Sequence, residues 1–541
     1  MPVNRRRPRS ITTELSEYVG ERTVVGRWLA AAHADLRTRR VPRHWSNLFG
    51  VVTLTSTIVL FVTGIFLMFA YSPSSDQVSY SGSYGVLHGV EVSKAFDSVL
   101  RLTYDVQGGL LVRQLHHWAA LLLPAAIIVQ LLVSFFTGAF RRPRRGSWVL
   151  LFLIFVVALA SGWSGYALPD DMLSGSGLRI VHGIVLSIPF VGTWIASILF
   201  GGEFPGRIVE NLYVVHLILP VALLGLLAVR AWLSLRHKPP QFAGAGRTEQ
   251  NVVGLPMLPN AAVLAGGLMA LVTGTLILIA ATVTISPAVA PADPGNASAG
   301  SQPDWYTGFL DGALRLVPVG WEIHVFGYTL TLAVLAPLAV IGVFMVGIAV
   351  YPFIEGWITR DREEHHLLDR PRNTPARTAV GVAGMTFYGV LWAAASADVM
   401  ALAFSLSFET VILTMQFALL LGPIAAFFLT RQICVALQQK DQEIAAHGVE
   451  TGRIVRLPGG EYVEVHAPVS IYSRWRLTAG YRPAPVPARP NESGRLTIAE
   501  RTRGRLATLF FGDRFLPISG DTGETVAGKV PETRTPQRSV Q

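Results

Sequence analysis

Eight runs of about 20 apolar residues punctuate this chain, each long enough to cross the hydrocarbon core of a bilayer. They lie at about 48–71, 113–138, 147–168, 209–235, 261–285, 329–353, 378–396 and 411–432. Lipid offers no hydrogen bonds, so a crossing segment must satisfy its backbone internally, and runs of this length do so as helices. The expected fold class is therefore all-α: a polytopic membrane protein with eight transmembrane helices. Composition agrees, since 51% of the 541 residues are hydrophobic and only 15% charged. The net charge of +10 does not point to a nucleic-acid partner. The basic residues stand in short clusters between apolar runs, where charge orients a chain in the membrane.

An even number of spans puts both termini on one face. The basic loops RRPRR, LRHKPPQFAGAGR and TRDREEHHLLDRPRN fall on that face, which the positive-inside rule makes cytoplasmic. The expected location is the cell membrane, multi-pass, with both termini in the cytoplasm. MPVNRRRPRS adjoins no apolar core or small-residue cleavage site, so it reads as part of a basic cytosolic segment, 1–47, rather than a signal peptide. The Arg5 to Arg9 and Arg141 to Arg145 clusters read as topology and anionic-lipid contacts. The opposite loops, 72–112, 169–208 and 286–327, are longer and less basic, with room for amphipathic surface helices, and SIPFVGTW reads as interfacial. A polar cytosolic extension, 433–541, ends in a disordered composition from about Gly520. His365 and His366, adjacent in a loop, give no metal-ligand geometry. The single Cys434 excludes an internal disulfide, and without a C-x-x-C-H motif no c-type haem is attached to this chain.

The second run, QLHHWAALLLPAAIIVQLLVSFF, opens on two histidines and carries Gln130 within it. His116 there and His216 in NLYVVHLILPVALLGLLAVR each sit about one turn inside the non-cytoplasmic end of a span. Ionisable groups inside a membrane are costly and face a cavity or a partner. One such histidine is explained by a hydrogen bond to a neighbouring helix. Two at equal depth on antiparallel helices fit better as opposed axial ligands of a b-type haem, the iron being their shared metal. His117 points about 100° away from His116 and reads as a surface or quinol-pocket residue. Gly50 and Gly64, 14 residues or about 21 Å apart on one helix face, allow flat groups to approach at two depths, although small residues also serve helix packing. Arg113, one turn before His116, is placed to pair a haem propionate, and Gly165 matches the depth of Gly64.

Gly50 with Gly64, Arg113 with His116, GYALPDD, SIPFVGT, His216 and PDWY together resemble the cytochrome b subunit of cytochrome bc complexes, the menaquinol or ubiquinol to cytochrome c oxidoreductases. The resemblance runs from about His44 to Cys434, and RRPRR, SGSGLRI, GGEFPG and EHHLLDRPRN match the long actinobacterial form. It implies a four-helix haem-binding bundle, 48–235, followed by a C-terminal four-helix membrane domain, 236–432. It also implies an outer quinol site at Asp304, Trp305 and Tyr306, with Asp304 accepting a quinol proton and Trp163 and Pro169 helping to line the pocket. The partners implied are a Rieske-type iron–sulfur subunit, a c-type cytochrome and menaquinol, in a homodimeric complex.

The same resemblance exposes a departure. The family carries two haems stacked across the membrane, with the two ligands on each helix 14 residues apart. Here those second positions are Gln130 and Arg230. The haem-facing glycine 14 before Gly165 is Leu151, the propionate-pairing arginine is Val133, and Pro239 stands where the family has an inner-site histidine. An amide or a guanidinium is a poor iron ligand. The expectation is one haem b, on His116 and His216, with none at Gln130 and Arg230, whose charge would find the Gln130 amide oxygen. Three readings follow: a quinol-oxidising subunit with a modified electron route, a divergent paralogue holding haem in a structural or regulatory role, and a transporter whose His, Arg and Gln line a path.

Overall fold

The computed structural model describes residues 34–202, 204–283, 290–293, 302–318, 320–478, 486–490 and 493–513. The Arg5 to Arg9 cluster and the segment beyond Gly520 lie outside them. Seven described helices are long and apolar enough to cross a membrane, or eight when a pair bent by 68° counts as one span. In chain order the helices are α1 (Leu48–Ala70), α2 (Lys94–Tyr104), α3 (Gly109–Phe136), α4 (Arg145–Tyr166), α5 (Met172–Leu186), α6 (Gly192–Phe200), α7 (Ile208–Arg236) and α8 (Ala262–Thr282). They continue as α9 (Gly308–Arg315), α10 (Leu332–Thr359), α11 (Pro375–Ala394), α12 (Ala397–Ala403), α13 (Phe408–His447), α14 (Ile471–Thr478) and α15 (Ile498–Phe511). The chain is an integral membrane protein. The surface helices α2, α5, α6 and α9 occupy the three long loops. Phe190 and Trp194 of SIPFVGTW are exposed, as an interfacial segment requires.

A four-helix bundle forms from α1 against α3 and α4 against α7, closed by α3 against α4. The face that α1 buries is polar yet small: Thr53, Thr55, Ser56, Thr57 and Thr63. Thr53, Thr55, Thr57 and Thr63 return their hydroxyl protons to the carbonyls four residues back, which lets them pack in an apolar bundle without orphaned donors. Ile127, Leu151, Ile154 and Phe155 fill the centre of the bundle. Entry into α3 needs glycine twice. Gly108 has φ +77°, and a Cβ at Gly109 would fall 2.0 Å from the Leu102 carbonyl oxygen. Outside the bundle, α11 packs on α13 and α9, and α10 docks on α4.

At the basic face the loops after α3, α7 and α10 are knitted together. His365 N–H donates to the Arg142 carbonyl, Asp369 N–H to that of Thr137, and Gln241 N–H to that of His366. The described N-terminal segment joins them by pairing Arg40–Val41 with Leu255–Pro256. The C-terminal α15 docks on the same face through Arg360 to Glu500 and Arg431 to Asp513. The three basic loops therefore do share one face, as charge placement implied. The last span runs further than hydropathy suggested: α13 continues to His447 as a polar helix, and a hairpin, Val449–Arg456 with Tyr462–Ala467, follows it.

Candidate functional site

His116 on α3 and His216 on α7 face each other across the bundle, ring centroids 6.4 Å apart and planes inclined by 70°. Imidazole–metal bonds of about 2 Å place two rings sharing one ion with centroids roughly 6 Å apart, so the pair suits a single iron. The remaining ring nitrogens fix the tautomers. Thr63 Oγ1 donates to the Val59 carbonyl and therefore accepts, at 2.8 Å, from His116 Nδ1–H. Ser164 Oγ donates to the Ser161 carbonyl, and both oxygens lie 3.1 Å from His216 Nδ1, which must be the donor. Each Nε2 is left with a free lone pair, the arrangement that metal-ligating histidines adopt.

The glycines serve these rings. A Cβ at Gly165 would fall 2.6 Å from His216 Cε1, and one at Gly64 would fall 3.3 Å from His116 Cε1. Each is thus flanked by the residue that holds the ring nitrogen, Thr63 before Gly64 and Ser164 before Gly165. The glycines drew attention to these places, whereas a Thr or Ser beside a helical glycine has no pattern of its own in a sequence. Arg113 lies one turn outward from His116, and its charge acts on the half-buried Asp171. Burial raises the Asp171 carboxyl above the usual range while the Ser174 hydrogen bonds and Arg113 pull it down.

PDWY packs beside this site. Tyr306 is buried and its hydroxyl donates to Asp304 Oδ2 at 2.8 Å, while His117 Nε2 lies 4.0 Å from Asp304 Oδ1. Burial raises the Asp304 carboxyl against the pull of His117 and of the Tyr306 hydroxyl. The loop is pinned from α11 and α12, where Trp392 Nε1 donates to the Trp305 carbonyl at 3.0 Å and Gln302 donates to Asp398. Gly162 lies against Tyr306, since a Cβ there would fall 2.8 Å from its hydroxyl. Its neighbour Trp163 packs instead with the cluster around Leu178, Phe200 and Leu212.

The other end of the bundle is built differently. Gly50, Gln130, Val133, Leu151 and Arg230 line one cavity of about 380 Å³. Gln130 turns its amide nitrogen to α1, donating to Thr53 Oγ1 at 2.7 Å and to the Phe49 carbonyl at 3.2 Å. Among the described residues no hydrogen bond joins it to Arg230, so the expected amide partner for that guanidinium is corrected: α1 already holds the amide. His44 and His237 also line the cavity, a placement the sequence reading missed. His44 is turned to Ser46 and the Phe242 ring, and His116 with His216 is the one pair of histidine rings in contact among the described residues.

A helical membrane bundle in which two spans present imidazoles of matched tautomer to one point, over glycines that keep the space flat, has the framework of a b-type cytochrome. Comparison with known proteins names the family. Residues 121–293 match the model "Cytochrome b(N-terminal)/b6/petB". The chain is 45% identical over 491 residues to the cytochrome bc1 complex cytochrome b subunit of Streptomyces coelicolor, covering 89% of this chain and 90% of that one. It is 42% identical over 460 residues to that of Mycobacterium tuberculosis, covering 84% and 83%. A solved structure described as "Hyperthermophilic respiratory Complex III" shares the fold, with a TM-score of 0.57 at 17% identity over 77% of this chain and 99% of that chain. This chain belongs to the family of cytochrome b subunits of cytochrome bc1 complexes.

Proposed function

We propose that this chain is the quinol-oxidising subunit of a respiratory quinol:cytochrome c oxidoreductase and holds a single b haem, gripped by His116 and His216. The observation that carries the reading is the 6.4 Å approach of two imidazoles whose Nδ1 atoms are already committed to Thr63, Ser164 and Ser161. When bound, the haem supplies a one-electron carrier. Arg113, one turn outward from His116, would pair a propionate, and Gly64 and Gly165 would leave room for the ring. Asp304, with Trp305 and Tyr306, forms the outer site for menaquinol. Its carboxylate accepts a quinol proton, Tyr306 orients it, and His117 stands next in line to carry that proton on. The partners are a Rieske-type iron–sulfur subunit and a c-type cytochrome in a homodimeric complex, with the basic face and both termini in the cytoplasm.

At the inner end Arg230 offers iron no lone pair, Gln130 only a weakly ligating amide oxygen, and Leu151 would crowd the ring. A second reading draws on this convergence: a haem-bearing subunit that does not complete electron transfer across the membrane. Steady-state reduction of cytochrome c by menaquinol, measured on the purified complex, separates the two. Turnover abolished by His116→Leu and His216→Leu, together with the low-spin haem spectrum, supports the first reading. A complex that keeps the spectrum yet never turns over supports the second.

A further inference from the structure

The 380 Å³ cavity at the basic end falls within the roughly 300–1,000 Å³ range of ligand pockets. Its wall carries five cations, Arg43, Arg144, Arg230, Lys238 and Arg247, and no Asp or Glu. Among the described residues none of the five is in an ion pair. Arg247 and Lys238 spend one donor each on a backbone carbonyl. Arg144 is buried and gives Nε and Nη2 to carbonyls of Ala139 and His365, but its buried Nη1 has no hydrogen-bond partner. Two helices also begin at the cavity. Ser46, Asn47 and Gly50 at the start of α1 line it, as do Ser147 and Trp148 at the start of α4. The start of α4 has no side-chain cap and presents the positive end of its helix dipole, whereas α1 is led in by a turn, Trp45–Asn47, that the His44 ring caps.

Arg144 is buried and Arg230 half-buried, the acids that act on Arg144, Glu249 and Glu364, stand outside the cavity wall, and positive charge held in this way favours an anion in the cavity. The floor is of another kind: Val133, Leu151, Trp148 and Leu233 are apolar. An occupant must therefore join an anionic head to an apolar body, and the place is a membrane boundary. The geometry points to a phosphate group carried on an acyl tail: an anionic phospholipid whose head is held by Arg144, Arg230 and Lys238 and whose chain lies along the Leu151 floor. The Arg230 guanidinium on α7 offers a fork, and Arg144 its remaining Nη1, to phosphate oxygens. The inference rests on the proposed single-haem reading, because a haem at this level would fill the same space.

The test is made on the purified complex carrying the full chain. Native mass spectrometry records retained lipid after exchange into nanodiscs of phosphatidylglycerol or of phosphatidylcholine, with and without inorganic phosphate, and haem is quantified on the same sample. The expected result is about one phosphatidylglycerol per chain and no phosphatidylcholine, unaffected by inorganic phosphate. At about 1 kcal/mol for each basic residue, Arg230→Met with Lys238→Met weakens retention roughly 30-fold and leaves the haem spectrum unchanged. Displacement of the lipid by inorganic phosphate reassigns the cavity to a soluble phosphate and overturns the lipid. One haem with no retained lipid overturns this inference alone. Two haems overturn it together with the reading beneath it.

Discussion

At the level of single residues, the tautomer of His116 is set by one hydroxyl and that of His216 by a hydroxyl and a carbonyl, and the space beside each ring by one absent methyl group. Gly165→Ala brings a Cβ to 2.6 Å from His216 and should displace the ring, so haem content falls sharply. Gly64→Ala, whose Cβ would meet His116 at a tight 3.3 Å that a shift of a few tenths of an ångström relieves, should keep more of its haem. Equal retention by the two variants in a pyridine haemochrome assay contradicts this account of the cradle. Removing the Nδ1 acceptor by Thr63→Val should weaken haem retention about 10- to 100-fold, the usual effect of losing such an outer partner. Asp304→Asn should lower kcat by about 10²-fold or more while leaving the haem spectrum intact. Burial raises this carboxyl, so the wild-type rate should fall on acidification at a pH above the ordinary carboxylate range. That acid limb should vanish in the Asn variant, and its survival would show that another group takes the proton. His116, His216 and their glycines were legible in the sequence because intramembrane histidine and helical glycine are both costly. Thr63 and Ser164 were not, because hydroxyls that bond back to their own helix look like ordinary packing residues, and Ser161 acts through its backbone carbonyl, which no residue type marks. The 4.0 Å approach of His117 to Asp304 joins positions far apart in the chain, and periodicity within one helix carries no trace of it.

Among the elements, hydropathy located the start of every span to within a few residues, since the bilayer sets both the length and the polarity of a crossing helix. It failed where the environment changes along a single helix. Beyond Thr430, α13 continues into a polar stretch that α14 and α15 partly cover, and no apolar stripe marks its end. The basic loops looked like topology signals, and one of them is also a structural lock. Arg377 on α11 donates through Nη2 to Glu355 Oε1 at 2.7 Å, through Nε to Oε2 at 3.0 Å, and through Nη1 to Asp369 Oδ2 at 2.9 Å. Arg141 of RRPRR reaches the other oxygen of Asp369 at 3.1 Å. All four groups are buried and their formal charges cancel. Arg377→Met leaves two buried carboxylates sharing one arginine and should destabilise by about 3–5 kcal/mol. Thermal unfolding of the detergent-solubilised complex checks this, and an unchanged Tm would show that the network adds nothing.

For the whole molecule, the two ends of one bundle have diverged. The outer end keeps paired imidazoles, glycine cradles, an arginine and the PDWY loop within reach of each other. The inner end carries, 14 residues on from each histidine, an amide held by α1 and an arginine lining a cationic cavity. On the proposed single-haem reading, an electron entering at His116 and His216 meets no second haem about 21 Å deeper, the rise of 14 helical residues. Quinol oxidation in such a complex must send electrons out by way of the partner subunits, or stop after one. The most direct measurement is the number of b haems per chain in the purified complex, by pyridine haemochrome against quantitative amino-acid analysis, with a redox titration of the same sample. One haem per chain titrating as a single one-electron component is the predicted result. Two haems per chain, or two components of distinct potential that both survive loss of His116, would contradict it.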